Sequence, residues 1–203
     1  MDYLHSGPAE GTTLLLAHGA GAAMDSLWMN DFCELLAERG VRTARFEFGY
    51  MAGRRAGIRK APPRGDSLMG EYRAAVEGVD APGRIAIGGK SMGGRVASMV
   101  ADELGVAGLV CLGYPFHLPG KPEQLRTAHL VDLRTPTLIC QGTRDPFGTA
   151  EDVAGYSLSP AIQLHWLEDG EHEFTPRVKI SGRTKAQNRA EAADAVAAFL
   201  SAV

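Results

Sequence analysis

Ser91 stands in Gly89-Lys90-Ser91-Met92-Gly93, after the apolar run Ile85-Ala86-Ile87 and before Arg95 to Leu104, which reads as a helix. A serine on a sharp turn between a buried strand and a helix has the form of a nucleophile elbow, with glycines where a Cβ would collide with neighbouring backbone. A serine hydroxyl is a weak nucleophile at neutral pH. It needs a base to take its proton and a carboxylate to orient that base. Asp145 follows the strand-like Thr137-Leu138-Ile139-Cys140, in the turn Gln141-Gly142-Thr143-Arg144-Asp145-Pro146-Phe147. His172 lies in Asp169-Gly170-Glu171-His172-Glu173-Phe174, just past the last predicted strand. Serine, acid and histidine thus occur in this chain order, each at the end of a predicted strand, and together they suit acyl transfer.

Each of these residues has a plainer reading. An Asp-Pro aspartate often bonds its own turn, a loop histidine is most often solvated, and Gly-Gly-Lys-Ser also invites a phosphate-loop reading. That last pattern needs a glycine where Arg84 stands, and the intervening residues are strand-like. Among the other histidines, His5 falls in a flexible start and His165 within a strand. His117 and His129 lie in a proline-containing connection, and His18 shapes the turn His18-Gly19-Ala20-Gly21. Asp169, Glu171 and Glu173 crowd His172 as a solvated acidic loop rather than a metal site, since one histidine with dispersed acids lacks tight ligand spacing. Asp169 is the rival to Asp145 as orienting acid. Glu47 either points into the site or pairs with an arginine of the next loop.

The elements that must position these residues alternate strand and helix. Strands are predicted at 13–17, 41–48, 84–87, 108–112, 137–140 and 162–167, and helices at 26–39, 66–78 and 95–104. Thr184 with Gln187 starts a last helix that runs to about Ala202. The predicted fold class is α/β: a mostly parallel sheet of about six strands with helices on both faces, in one domain over 1–203. A chain of 203 residues, 45% apolar and 22% charged, fits one soluble domain. A net charge of -3 gives no footprint for nucleic acid or an anionic membrane. Cys33, Cys111 and Cys140 match no zinc motif or disulfide framework and read as reduced thiols of a cytoplasmic protein. The connection 49–65 carries Arg54, Arg55, Arg59, Lys60 and Arg64 with no acidic residue. It reads as a solvated surface loop or, since it begins on the rim that bears Ser91, as a contact for an anionic acyl substrate.

Across nearly its whole length the chain resembles the α/β-hydrolase superfamily. The resemblance is carried by Leu16-Ala17-His18-Gly19-Ala20-Gly21, Arg45-Phe46-Glu47-Phe48, Gly88 to Gly94, Leu112-Gly113-Tyr114-Pro115-Phe116 and Gln141-Gly142-Thr143-Arg144-Asp145-Pro146. Within the superfamily it looks most similar to small bacterial hydrolases related to a testis-expressed protein and to the third subunit of the NSL chromatin complex. It is more loosely similar to dienelactone hydrolases, which carry cysteine at the elbow where this chain has Ser91. The resemblance implies a minimal α/β-hydrolase fold without a cap domain and without the first two antiparallel strands. It implies a Ser91–His172–Asp145 triad and an oxyanion hole from the backbone N–H groups of Ala20 and Met92. The expected activity is cleavage of an ester, thioester or similar acyl bond in a small molecule, with no cofactor or metal. The alternative is a non-catalytic binding or scaffold protein on the same fold.

Overall fold

The computed structural model describes residues 1–55, 57–58 and 60–203. Its elements are β1 (Leu4–Ser6), β2 (Thr13–Ala17), α1 (Leu27–Glu38), β3 (Arg42–Phe46), α2 (Gly49–Arg55), α3 (Met69–Gly78), β4 (Ile85–Lys90) and α4 (Met92–Leu104). Then come β5 (Leu109–Leu112), β6 (Thr137–Gly142), α5 (Ala150–Ala154), β7 (Ile162–Leu167), α6 (Val178–Ser181) and α7 (Lys185–Ala202). The strands form one sheet in the order β1-β3-β2-β4-β5-β6-β7. Every neighbouring pair is parallel except β1 against β3.

Continuous apolar runs form the central strands because both sheet faces are covered. One face packs Leu15, Ala17, Ile87, Leu109, Cys111 and Ile139 against α3, α4 and the connections around them. The other packs Leu14, Leu16, Ala86, Val110, Leu112 and Leu138 against α1 and α7. Alternate residues of one strand therefore enter opposite cores. Fully buried Tyr72 of α3 ties two strands together. Its hydroxyl lies 2.6 Å from Gly88 O and 3.1 Å from Leu15 O, and accepts Gly88 N–H at 3.0 Å.

The sheet has seven strands rather than six. The added one, β1, is an antiparallel edge strand, so one such strand precedes the parallel set where none was expected, and His5 sits in it opposite Ala44. Three residues of mixed polarity carry too little period-2 signal to announce a strand; pairing with β3 creates it. The connection 49–65 also differs from the expected loop, because its first part is α2, which carries Arg54 and Arg55. Arg59 lies outside the described residues.

Candidate active site

The elbow is built by close backbone approach. Ser91 takes φ 51°, ψ -115°, outside the ordinary regions for a side-chain-bearing residue, and its N–H donates to Leu112 O at 2.9 Å. A Cβ on Gly89 would stand 2.5 Å from Ala17 O and 2.6 Å from the Gly93 carbonyl carbon, and one on Gly93 would strike Ala17 O. These two glycines let α4 start directly against β2 and β4. Met92 is the first residue of α4, so its N–H has no partner within the helix.

The turn after β2 lies beside the serine, since a Cβ on Gly19 would come 3.9 Å from Ser91 Cβ. His18 holds that turn from beneath. It is fully buried, its Nε2 accepts Phe48 N–H at 3.2 Å, and its Nδ1 therefore carries the proton given to Gly19 O at 2.7 Å. Burial pushes the imidazole below its ordinary value, so it stays neutral. Tyr50 of α2 adds a hydrogen bond from its hydroxyl to Ala20 O at 3.0 Å.

Asp145 and His172 meet because the ends of β6 and β7 are stitched together. Arg144 N–H donates to Gly170 O at 2.9 Å, Thr143 N–H to Leu167 O at 3.1 Å and Asp169 N–H to Thr143 Oγ1 at 2.9 Å. Asp145 is fully buried; its Oδ2 lies 2.8 Å from His172 Nδ1, and its Oδ1 accepts Phe147 N–H at 2.9 Å. Phe147 lies with its ring centroid 4.3 Å from that of His172. Ser91 and His172 line one cleft of about 290 Å³ with Gly19, Ala20, Trp28 and Lys90. No hydrogen bond joins Ser91 Oγ to His172 Nε2 among the described residues; such contacts often tighten only when substrate binds.

The rival acids are otherwise engaged. Asp169 pairs with Arg177 and, at 2.8 Å, with Arg144; the Arg177 hydrogen bonds pull its carboxyl from 3.8 to about 2. Glu171 Oε1 accepts the N–H groups of Glu173 and Thr175 at 2.9 and 3.0 Å. Glu47 does not enter the cleft. It accepts two hydrogen bonds from Arg55, at 2.8 and 2.7 Å, and one from Met24 N–H at 3.1 Å. Arg55 also reaches Asp25 at 3.0 and 2.7 Å, so this cation of the basic connection is a structural clamp. Arg64 faces Asp66 at 3.5 Å, and Arg54 donates to Lys60 O at 3.2 Å. None of these described cations lines the Ser91 cleft.

Lys90 carries a role that the motif alone does not reveal. Almost fully buried, it donates from Nζ to His172 O at 2.8 Å, lies 3.4 Å from Glu173 Oε1 and sits 5.4 Å from the Trp28 ring centroid. Trp28 stacks on Phe32 at 5.0 Å and meets Phe174 edge-on at 5.7 Å. Asn188 of α7 pins the histidine loop from behind, donating to Glu168 O at 3.0 Å and Phe174 O at 3.1 Å. In sequence, Lys90 figures only in the disfavoured phosphate-loop reading, and nothing singles out Trp28 or Asn188 for the site. Only their tertiary partners show otherwise. The three thiols are buried and unpaired, and burial pushes that of Cys140 up to about 12. No described helix is long and apolar enough to cross a membrane.

A family model described as an alpha/beta hydrolase domain matches residues 10–201. The chain belongs to this alpha/beta hydrolase family. Carboxymethylenebutenolidase from Pseudomonas sp. (strain P51) is 38% identical over 96 residues, which cover 45% of this chain and 37% of that protein. The chain thus spans well under half the length of this relative, whose likeness accords with the looser resemblance to dienelactone hydrolases. An alpha-beta serine hydrolase homologue from Coxiella burnetii superposes with a TM-score of 0.70 at 21% identity, covering 96% of this chain and 90% of that one. A lidless a/b serine hydrolase from Xanthomonas campestris gives 0.70 at 20% identity, covering 97% and 87%. At such identities these likenesses establish the fold. The narrower similarity to the testis-expressed and NSL-subunit group stays a resemblance.

Proposed function

We propose that this alpha/beta hydrolase cleaves an ester, thioester or similar acyl bond of a small molecule, with Ser91 as nucleophile, His172 as base and Asp145 as orienting acid. The observation that carries the reading is the buried Asp145 Oδ2–His172 Nδ1 contact of 2.8 Å, beside an elbow serine in the same cleft. In the first step Ser91 Oγ bonds to the carbonyl carbon, and its proton passes to His172 Nε2. The carbonyl oxygen, now an oxyanion, takes hydrogen bonds from Ala20 N–H and Met92 N–H, each contributing about 3 kcal/mol. Asp145 accepts Nδ1–H and stabilises the imidazolium. The tetrahedral adduct collapses, His172 gives its proton to the departing alcohol or thiol, and an acyl-Ser91 ester remains. Water repeats the sequence: His172 takes its proton, the acyl–oxygen bond breaks, and Ser91 regains its proton as the acid leaves.

Labelling with a fluorophosphonate, read by intact mass and peptide mapping, tests the assignment. One adduct at Ser91 is expected, absent in Ser91→Ala. Labelling at another serine with ester hydrolysis retained in Ser91→Ala would overturn it.

A further inference from the structure

Arg95, one turn along α4 from Ser91, and Arg126, in the connection after β5, share a buried polar hub, and among the described residues neither guanidinium has a partner. Arg95 N–H donates to Ser91 O at 3.0 Å, which fixes its place on the nucleophile helix. Ser98 Oγ donates to Arg95 O at 2.7 Å and lies 2.8 Å from His129 Nε2. Tyr114 Oη donates to Arg126 O at 3.0 Å and lies 3.3 Å from the same His129 nitrogen. Each hydroxyl has one proton, given to an arginine carbonyl, so His129 Nε2 must carry the hydrogen shared between the two oxygens. The hub thus ties α4 to the connection after β5 and holds Arg95 and Arg126 together.

Among the described residues, neither guanidinium makes a side-chain hydrogen bond or an ion pair, and Arg95 Nε is buried without an acceptor. Arg95 lies against Gly65, whose added Cβ would strike its Nη1. Burial and the Arg95 charge push both Arg126 and His129 down, His129 to about 4. Buried Arg189 meets Asp31 at 2.9 Å, and buried Arg45 donates to Met24 O, Asn30 Oδ1 and Ser6 Oγ. Arg95 and Arg126, whose main chains the hub ties together, have no such side-chain acceptor among the described residues, which leaves a demand for negative charge.

We propose that Arg95 and Arg126 form an anion-binding subsite on the α4 side of Ser91, which takes a carboxylate or phosphate group carried by the substrate. That the anion belongs to a substrate rests on Ser91 being the nucleophile; that it binds does not. The site recognises one oxyanion group through guanidinium forks, which match its geometry. Neither arginine lines the cleft with Trp28 and Lys90, and Tyr114 of the hub packs in the core on the opposite sheet face from Trp28. The subsite also differs from the basic connection at 54–64.

Calorimetric titration of the Ser91→Ala protein with glutarate and with inorganic phosphate tests binding, and the two arms tell carboxylate from phosphate recognition. At least one should bind, more weakly as salt rises, and Arg126→Gln should weaken it about tenfold or more. Arg126→Lys should recover part of the loss, and Arg95→Gln should act in the same direction where melting shows it folded. In the protein with Ser91 intact, kcat/KM for monomethyl glutarate relative to methyl valerate should fall about tenfold or more in Arg126→Gln. If neither anion binds, or if Arg126→Gln folds and leaves both the binding and the ester ratio unchanged, the subsite is overturned. Fluorophosphonate labelling separates the two proposals. Labelling at Ser91 without anion binding removes the subsite and leaves the hydrolase reading. Arginine-dependent anion binding without labelling does the reverse.

Discussion

Ser91, His172 and Asp145 illustrate what a residue gains from its surroundings. Asp145 has both oxygens occupied, one by His172 and one by Phe147 N–H, so its orientation is fixed before any substrate arrives. Asp145→Asn keeps the shape but presents the wrong hydrogen-bonding group to Nδ1. It should lower kcat by about 10⁴-fold. His172→Ala should cost orders of magnitude, and the double variant should be little worse than the worse single, since groups acting as a unit are not additive. Steady-state kinetics on one activated ester checks this. A near-silent Asp145→Asn beside a damaging Asp169→Asn would move the acid to Asp169. Arg55 gives a second residue-scale expectation. It clamps Glu47, where burial raises the carboxyl and the Arg55 hydrogen bonds, the Met24 N–H and the Arg55 charge together more than reverse that effect. Arg55→Ala strands a buried carboxylate and should lower the melting temperature. Glu47→Gln in the same chain should restore part of the loss.

At the scale of elements, the elbow and the sheet constrain each other. Ser91 holds its unusual backbone because Gly89 and Gly93 admit the Ala17 carbonyl on both sides. Gly93→Ala pushes α4 off β2 and should cost about 1–3 kcal/mol or more, with loss of fluorophosphonate labelling. Denaturant titration beside labelling separates a displaced elbow from an unfolded chain. The Tyr72 hydroxyl is the sheet's internal polar tie, and Tyr72→Phe leaves Gly88 N–H without its partner in the dry interior. The expected cost is about 1–3 kcal/mol in urea unfolding, with the ester KM unchanged.

The whole molecule has an acid limb of stability that its titrating groups define. Asp169 is pulled down to about 2 from 3.8, mainly by Arg177. Its contribution is complete above 3.8 and is lost as pH falls toward 2, because the unfolded chain takes up the proton first. His129 is pushed down to about 4 from 6.5, mainly by burial. The unfolded state therefore binds the proton more readily between those values, and stability declines as pH drops from 6.5 to 4. Melting temperatures over this range should fall in two stages. His129→Gln should flatten the upper stage, and Asp169→Asn should flatten the lower one.

Residue pattern is enough to specify the central layers, because buried parallel strands must be continuous apolar runs and the elbow must carry glycine where backbones touch. Six strands, α1, α4 and the capping box of α7 were legible on that basis, as were Ser91 and His172, which line one cleft, and Asp145, buried against His172. Tertiary structure alone decided what depended on partners distant in the chain. β1 exists because β3 offers it an edge, and α2 turns Arg55 inward onto Glu47 and Asp25. Lys90 acts on the histidine loop because β4 and the loop after β7 end side by side, which brings residues 82 positions apart to 2.8 Å. Periodicity and spacing report the faces of single elements. Which charge meets which partner, and which is left without one, is set only when those faces are brought together.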